Sequence, residues 1–383
     1  MRRNALACIA FAALIVELAA QTAAPPRFQV DPLWPKPLPN HWLFGSITGV
    51  AVDAQDRIWV VHRGGDSLNA RTEMSAATKP PTADACCVPA PQILAFDESG
   101  ALVANFGGPG AGYDWPRSPG GIAIDAKGNV WIAAAAAAQA PPTGRDAPKV
   151  DPATLAKADS HVVKFSPDGK FLLQIGRAQS PAGNDSKTGL NRPAALDVDP
   201  AANELYVADG FGNRRIVVFD AETGAYKRHW GAYGAPPDDA DPGAYDPSAP
   251  PSKQFRAVSC VRIAKDGLVY VCDRRNDRIQ VFQKNGTFVK EAFVSKTTMG
   301  DGSVWDIAFS RDPKQQFLFV ADGQDQKVFV LRRDTLEIVS TVGGGGRWPG
   351  AFYGVGSVAV DSKGNLFTGE NLEGKRVQKF VRR

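Results

Sequence analysis

The sequence predicts an all-β, six-bladed β-propeller with four antiparallel strands in each blade, and three observations predict it. A two-strand phrase recurs six times, an aromatic stands at the same point of each second strand, and an apolar third strand follows every copy. Groups of short strands repeated at a period above about forty residues are the signature of propeller blades.

The phrase occurs as "TGVAVDAQDRIWVV" (48–61), "GGIAIDAKGNVWIA" (120–133), "AALDVDPAANELYVA" (194–208), "SCVRIAKDGLVYVC" (259–272), "WDIAFSRDPKQQFLFVA" (305–321) and "GSVAVDSKGNLFTG" (356–369). Its aromatics are Trp59, Trp131, Tyr206, Tyr270, Phe319 and Phe367. The third strands are "QILAF", "HVVKF", "RIVVF", "RIQVF", "KVFVL" and "RVQKF", and five copies add a fourth strand such as "KFLLQIG" (170–176). The sixth copy has no fourth strand after it. An extended piece near the start, "FQVDPLW" (28–34), is expected to pair there and hide an open sheet edge.

A chain of 383 residues can bury a large core. Residues 1–24, "MRRNALACIAFAALIVELAAQTAA", combine two Arg, a short apolar run and small residues, the pattern of a cleaved signal peptide. Residues 25–383 are then a single propeller domain, periplasmic or secreted, monomeric, with no membrane span. The net charge of +4 with both signs interspersed excludes the basic stripe that nucleic acid requires. Cys8 falls within the leader, and Cys86, Cys87, Cys260 and Cys272 remain for an oxidising compartment. Cys260 and Cys272 stand symmetrically about a turn and should face each other. Cys86 and Cys87 are favoured as a vicinal pair, although each thiol could pair elsewhere.

Hairpins between first and second strands are short throughout, whereas the long insertions (64–91, 134–160, 177–193, 232–254 and 344–355) all fall at the opposite ends of the strands. Long loops are tolerated mainly where they work, which marks that end as the binding face. Segment 234–251 reads as slack by composition, whereas Tyr113 and Trp115 in "PGAGYDWPRSP" need somewhere to pack and join the candidate ligand-binding residues. The residues ending the second strands ring the central channel: His62 and Arg63, Asp209, Asp273 and Arg274, Asp322 and Glu370, with Arg214, Arg275 and Arg278 close behind. Interleaved acids and Arg could bind a charged small molecule or peptide end, although a repeated Asp more often serves the repeat itself. Arg63 and Trp305 break the repeat and are the better functional candidates. No EF-hand-like spacing points to Ca²⁺, although Asp side chains or strand carbonyls could hold it.

"LDVDPAANELYVADGFGNRRIVVF" (196–219) and "VRIAKDGLVYVCDRRNDRIQVF" (261–282) resemble the NHL-repeat propellers, an NHL/TolB-like ring. "VVHRGGD" (60–66) further resembles a stretch of the peptidyl-α-hydroxyglycine α-amidating lyases. That resemblance implies a substrate-facing role for Arg63, places Phe211 where those enzymes carry a Tyr, and maps their three zinc-binding His onto Gly120, Ser259 and Gly356. None of the three is His, so zinc held by the family's scheme is not expected. The expected function is an exported propeller that binds a small molecule, peptide or protein through its loop-rich face, with no cofactor assigned. The alternative is a divergent amidating-lyase-like or hydrolytic enzyme in which Arg63 and His62 are catalytic and act with a recruited cation.

Overall fold

The computed structural model describes residues 23–69, 73, 80, 82–83, 86–141 and 150–383. The expected leader, 1–24, lies almost wholly outside the described residues.

Each copy of the phrase forms one four-stranded antiparallel sheet with its strands in chain order. Blade one comprises Ile47–Val52, Ile58–His62, Ile93–Phe96 and Leu102–Phe106. Blade two comprises Pro119–Ile124, Val130–Ala134, His161–Phe165 and Phe171–Gly176. Blade three runs Ala195–Asp199, Glu204–Asp209, Arg215–Asp220 and Tyr226–Trp230, and blade four Val258–Ile263, Val269–Asp273, Arg278–Phe282 and Phe288–Phe293. Blade five has Asp306–Phe309, Phe317–Asp322, Lys327–Arg332 and Ile338–Val342. Blade six has Val355–Val360, Leu366–Glu370 and Val377–Arg382, and Phe28–Asp31 completes it as the outer strand, Phe28 opposite Arg382. The first strands of neighbouring blades touch all the way round, blade six against blade one, so the sheets form a closed ring.

Alternation decides where the apolar side chains go, because successive residues of a strand point to opposite faces. Both faces of every blade meet a neighbour, and the core is therefore a set of apolar wedges, one between each adjacent pair. The six repeat aromatics are fully buried in them. Their polar ends are satisfied locally: Trp59 Nε1 donates to Asp53 Oδ2 at 2.8 Å, and Tyr206 Oη to Glu204 Oε2 at 2.9 Å. Trp34 follows the closing strand and packs against Phe96 and Phe367, between blades six and one.

The short hairpins are Asx turns. Asp125 Oδ1 accepts from the amides of Lys127 and Asn129, both at 2.9 Å, while Gly128 takes φ 79°, which a Cβ would strain. Both cysteine pairs are bonded, Cys86 to Cys87 and Cys260 to Cys272, the latter directly opposite in register.

Segment 234–251 is not slack. Arg256 donates to the carbonyls of Gly243 and Pro242, and Tyr245 Oη to that of Lys296 at 2.8 Å, so hydrogen bonds to the blades fix what composition suggested was loose.

Candidate functional site

Antiparallel order sends the insertions and the ends of the second strands to one face. There the second strands end in His62, Ala134, Asp209, Asp273, Asp322 and Glu370, all buried. In blades three and four the carboxylate does the same structural work. Asp209 accepts from the Asn191 amide at 2.9 Å and pairs with Arg215 Nε at 2.9 Å; Asp273 accepts from the Arg256 amide at 2.9 Å and pairs with Arg278 Nε at 2.9 Å. The guanidinium of Arg215 then donates to carbonyls of Ser186 and Gly189 and that of Arg278 to Gln254, which ties each insertion down. Glu370 follows suit with the Tyr353 amide at 2.8 Å and with Arg376. A buried carboxylate with a bonded guanidinium satisfies both charges. Asp209, Asp273 and Glu370 are therefore held within the blades and do not face a ligand.

His62 occupies the same repeat position and does the same job with a ring nitrogen. Its Nδ1 accepts from the amides of Gly45 and Gly64, both at 3.0 Å, and its Nε2 donates to Pro91 O at 2.9 Å. Burial lowers its pKa to about 4. With both nitrogens engaged, the geometry does not offer His62 as a base or ligand. Tyr113 and Trp115 likewise pack inward: Tyr113 stacks on Phe171 at 5.1 Å and meets Phe165 edge-on at 5.0 Å. Trp115 Nε1 donates to Gln92 Oε1, and Gln92 Nε2 donates to Arg63 O at 3.1 Å. Trp115 thus supports the backbone at Arg63 and is not at the mouth.

Asp322 departs from its sister positions. Its register partner is Lys327 where blades three and four place Arg, and Lys327 Nζ lies over the Phe329 ring at 5.6 Å. Asp322 Oδ1 accepts from the amides of Gln324 and Asp325, but Oδ2 is buried without a partner. Burial above all, with Asp325 and Asp277 nearby, raises its pKa to about 7.

What converges on the mouth is a cluster of guanidinium groups. Arg63 follows the second strand of blade one, Arg192 comes from the insertion before blade three, and Arg274 and Arg275 follow the second strand of blade four. Burial, then the charge of Arg192, lowers the pKa of Arg63, and its Nε is buried without a hydrogen-bond partner among the described residues. No described residue forms an ion pair with Arg63. Arg192 donates to Phe211 O at 3.2 Å and lies over the Phe211 ring at 5.8 Å, its pKa lowered by burial and by Arg275. Arg274 sits over Trp305 at 4.1 Å and over Phe211 at 5.6 Å. Its pKa is lowered to about 10, chiefly by burial, with Arg275 and Arg63 adding to it against the opposing pull of Asp301. Asp301 pairs with Arg274 at 2.9 Å and with Arg275 at 2.7 Å. Asp159, the other carboxylate near Arg192, is engaged by Arg117 at 3.3 Å. Cations therefore outnumber carboxylates at this mouth, over an aromatic floor of Phe211 and Trp305. Arg192 is the member sequence reasoning missed, because it lies in an insertion, outside the repeated phrase.

The positions that map to the lyases' zinc ligands do not fit that metal. Ser259 Oγ donates to Val304 O at 2.9 Å, Gly356 has no side-chain donor, and a Cβ at Gly120 would stand 2.7 Å from the Ala194 carbonyl oxygen. Within the channel a cavity of about 240 Å³ is lined by the first strands of all six blades, with Asp197, Arg262, Arg311 and Gln315 among the lining residues. Arg262 there bonds the carbonyls of Leu196 and Val261 and pairs with Asp306 at 2.7 Å, a guanidinium where strand carbonyls and a carboxylate could otherwise meet a cation.

A family model described as "NHL repeat" matches residues 255–282. The chain is 25% identical over 258 residues to the peptidylglycine alpha-amidating monooxygenase of Rattus norvegicus, an alignment covering 66% of this chain and 22% of that protein. It is 28% identical over 254 residues to peptidyl-glycine alpha-amidating monooxygenase B of Xenopus laevis, covering 64% and 24%. The chain is thus a distant relative of these proteins and spans about a quarter or less of their length. Among solved structures, a protein of unknown function from Bacteroides thetaiotaomicron superposes with a TM-score of 0.52 at 13% identity, covering 89% of this chain and 70% of that one. A streptogramin B lyase superposes with a TM-score of 0.50 at 9% identity, covering 94% and 98%. Both likenesses concern the fold alone.

Proposed function

We propose that the protein is an exported binding propeller whose loop-rich face takes an acidic group of a small molecule or peptide at the central mouth. The carrying observation is the Arg63 guanidinium, lowered in pKa by burial and by a neighbouring cation and without an anionic partner among the described residues. A carboxylate placed between Arg63, Arg192 and Arg274 would relieve that repulsion and supply the missing acceptors. Phe211 and Trp305 give the rest of the ligand an apolar surface to lie on. The two disulfides support an oxidising compartment outside the cytosol.

The distant likeness to amidating monooxygenases favours a second reading, a lyase-like enzyme acting through Arg63. It needs chemistry other than the zinc scheme, since Gly120, Ser259 and Gly356 cannot supply three imidazoles, and it needs a proton acceptor other than Phe211.

Calorimetric titration with simple carboxylates tests the first reading. Loss of a charge-assisted hydrogen bond in Arg63→Gln should weaken binding by roughly 10- to 100-fold. Undiminished affinity in that variant removes Arg63 from the site. Turnover of α-hydroxyglycine peptides by the purified protein, abolished by chelation, would favour the second reading.

A further inference from the structure

A second cavity opens beside the mouth. It measures about 400 Å³, and its lining includes Arg214, Arg256, Arg275, Asp241, Tyr245 and Met299. Arg275 belongs to both places: it lines this cavity, and Asp301 bonds it at 2.7 Å and Arg274 of the mouth at 2.9 Å. Its side chain is 53% exposed, so its donors not taken by Asp301 reach solvent.

The other two guanidinium groups are held by neutral acceptors. Arg214 Nη1 donates to Asp238 O at 3.1 Å, while its amide donates to Asn184 Oδ1 at 2.8 Å. Arg256 donates to the carbonyls of Gly243 and Pro242 and to Asn276 Oδ1 at 2.7 Å. Neither charge is paired with a carboxylate among the described residues. The one acid among the lining residues, Asp241, spends Oδ1 on the Gly243 amide at 3.0 Å. Three guanidinium groups thus border a space large enough for a small acidic group, and Arg275 joins it to the mouth. Tyr245 and Met299 add apolar wall between the charges.

We infer that this cavity takes the second acidic group of a ligand whose first lies among Arg63, Arg192 and Arg274, so that the preferred ligands are small dicarboxylates. The inference rests on the mouth reading and extends it to a bifunctional class. Guanidinium forks suit carboxylates at both ends, and the apolar wall suits a hydrocarbon spacer.

The experiment is calorimetric titration of the purified full chain with straight-chain dicarboxylates from succinate upward, each beside the monocarboxylate of the same length. At a length that spans both places the dicarboxylate should bind roughly ten-fold or more tightly than its partner. Arg214→Gln, whose thermal unfolding serves as the control for folding, should erase that advantage. Equal binding of matched partners at every length, with monocarboxylate binding still lost in Arg63→Gln, overturns the side cavity and leaves the mouth standing. Absence of binding by either series overturns both.

Discussion

The guanidinium of Arg274 lies over the indole of Trp305, 4.1 Å from its ring centre, while Trp305 Nε1 donates to Gly302 O at 2.7 Å. The ring that opens blade five therefore fixes a cation that follows the second strand of blade four. Cation–π contacts of this kind contribute about 0.5–2 kcal/mol, so Trp305→Leu should weaken carboxylate binding roughly 2- to 30-fold. Titration of that variant against the wild type checks it, and a merely structural ring would lower the melting temperature with the affinity intact.

Gln92 links two residues that sequence alone would not connect, accepting from Trp115 and donating to Arg63 O. Gln92→Leu leaves a part-buried indole N–H unpaired and should cost about 1 kcal/mol of stability. Urea denaturation measures that loss, and carboxylate affinity should fall with it because the backbone at Arg63 loses its tether.

Asp322 gives a stability term that is lost as the pH rises from acid to neutral. Its pKa rises from an ordinary carboxylate value to about 7 in the fold, so the folded state favours the protonated form. Stability from this residue is full below about pH 4 and declines until about pH 7, by at most about 4 kcal/mol. Asp322→Asn should be more stable than the wild type at pH 8 and no more stable at pH 4, as read from urea midpoints.

His62 acts in the opposite direction. Burial holds its pKa at about 4, below the ordinary imidazole value, so the folded state favours the neutral ring. Its contribution is intact above about pH 6.5 and declines as the pH falls toward 4, by at most about 3 kcal/mol. In His62→Gln, whose amide oxygen can still accept from Gly45 and Gly64, the fall in midpoint between pH 7 and pH 4.5 should shrink.

The Cys260–Cys272 bond closes a hairpin with a sequence separation of 12. A loop of that size contributes up to about 3 kcal/mol through the unfolded chain. Cys260→Ser combined with Cys272→Ser should lower the denaturation midpoint, and a reductant should do the same to the wild type but not to the double variant.

The ring was legible because a propeller writes one structural unit repeatedly, and Trp59, Trp131 and Tyr206 mark the same buried point in successive blades. The closing strand was legible as the extended segment left over when the sixth copy ran short. The mouth was legible only in part. Asp209 and Asp273 share a repeat position, which pointed to a structural role, and each pairs with a buried guanidinium, that of Arg215 or Arg278. His62 broke that position in residue type but kept its hydrogen bond, a substitution of acceptor that spelling conceals. Arg192 reaches the mouth from an insertion whose path depends on contacts such as that of its amide with Asp159 O, and no spacing rule encodes that path.

Phe28 lies opposite Arg382 in the sheet, so the circle is fastened by hydrogen bonds at one seam. During synthesis that seam cannot form until the last strand has left the ribosome, and until then blade six presents a bare edge to other chains. The same adjacency makes the chain a good subject for circular permutation: a short peptide joining the seam, with new ends cut into one of the narrow-face hairpins, should leave the circle whole.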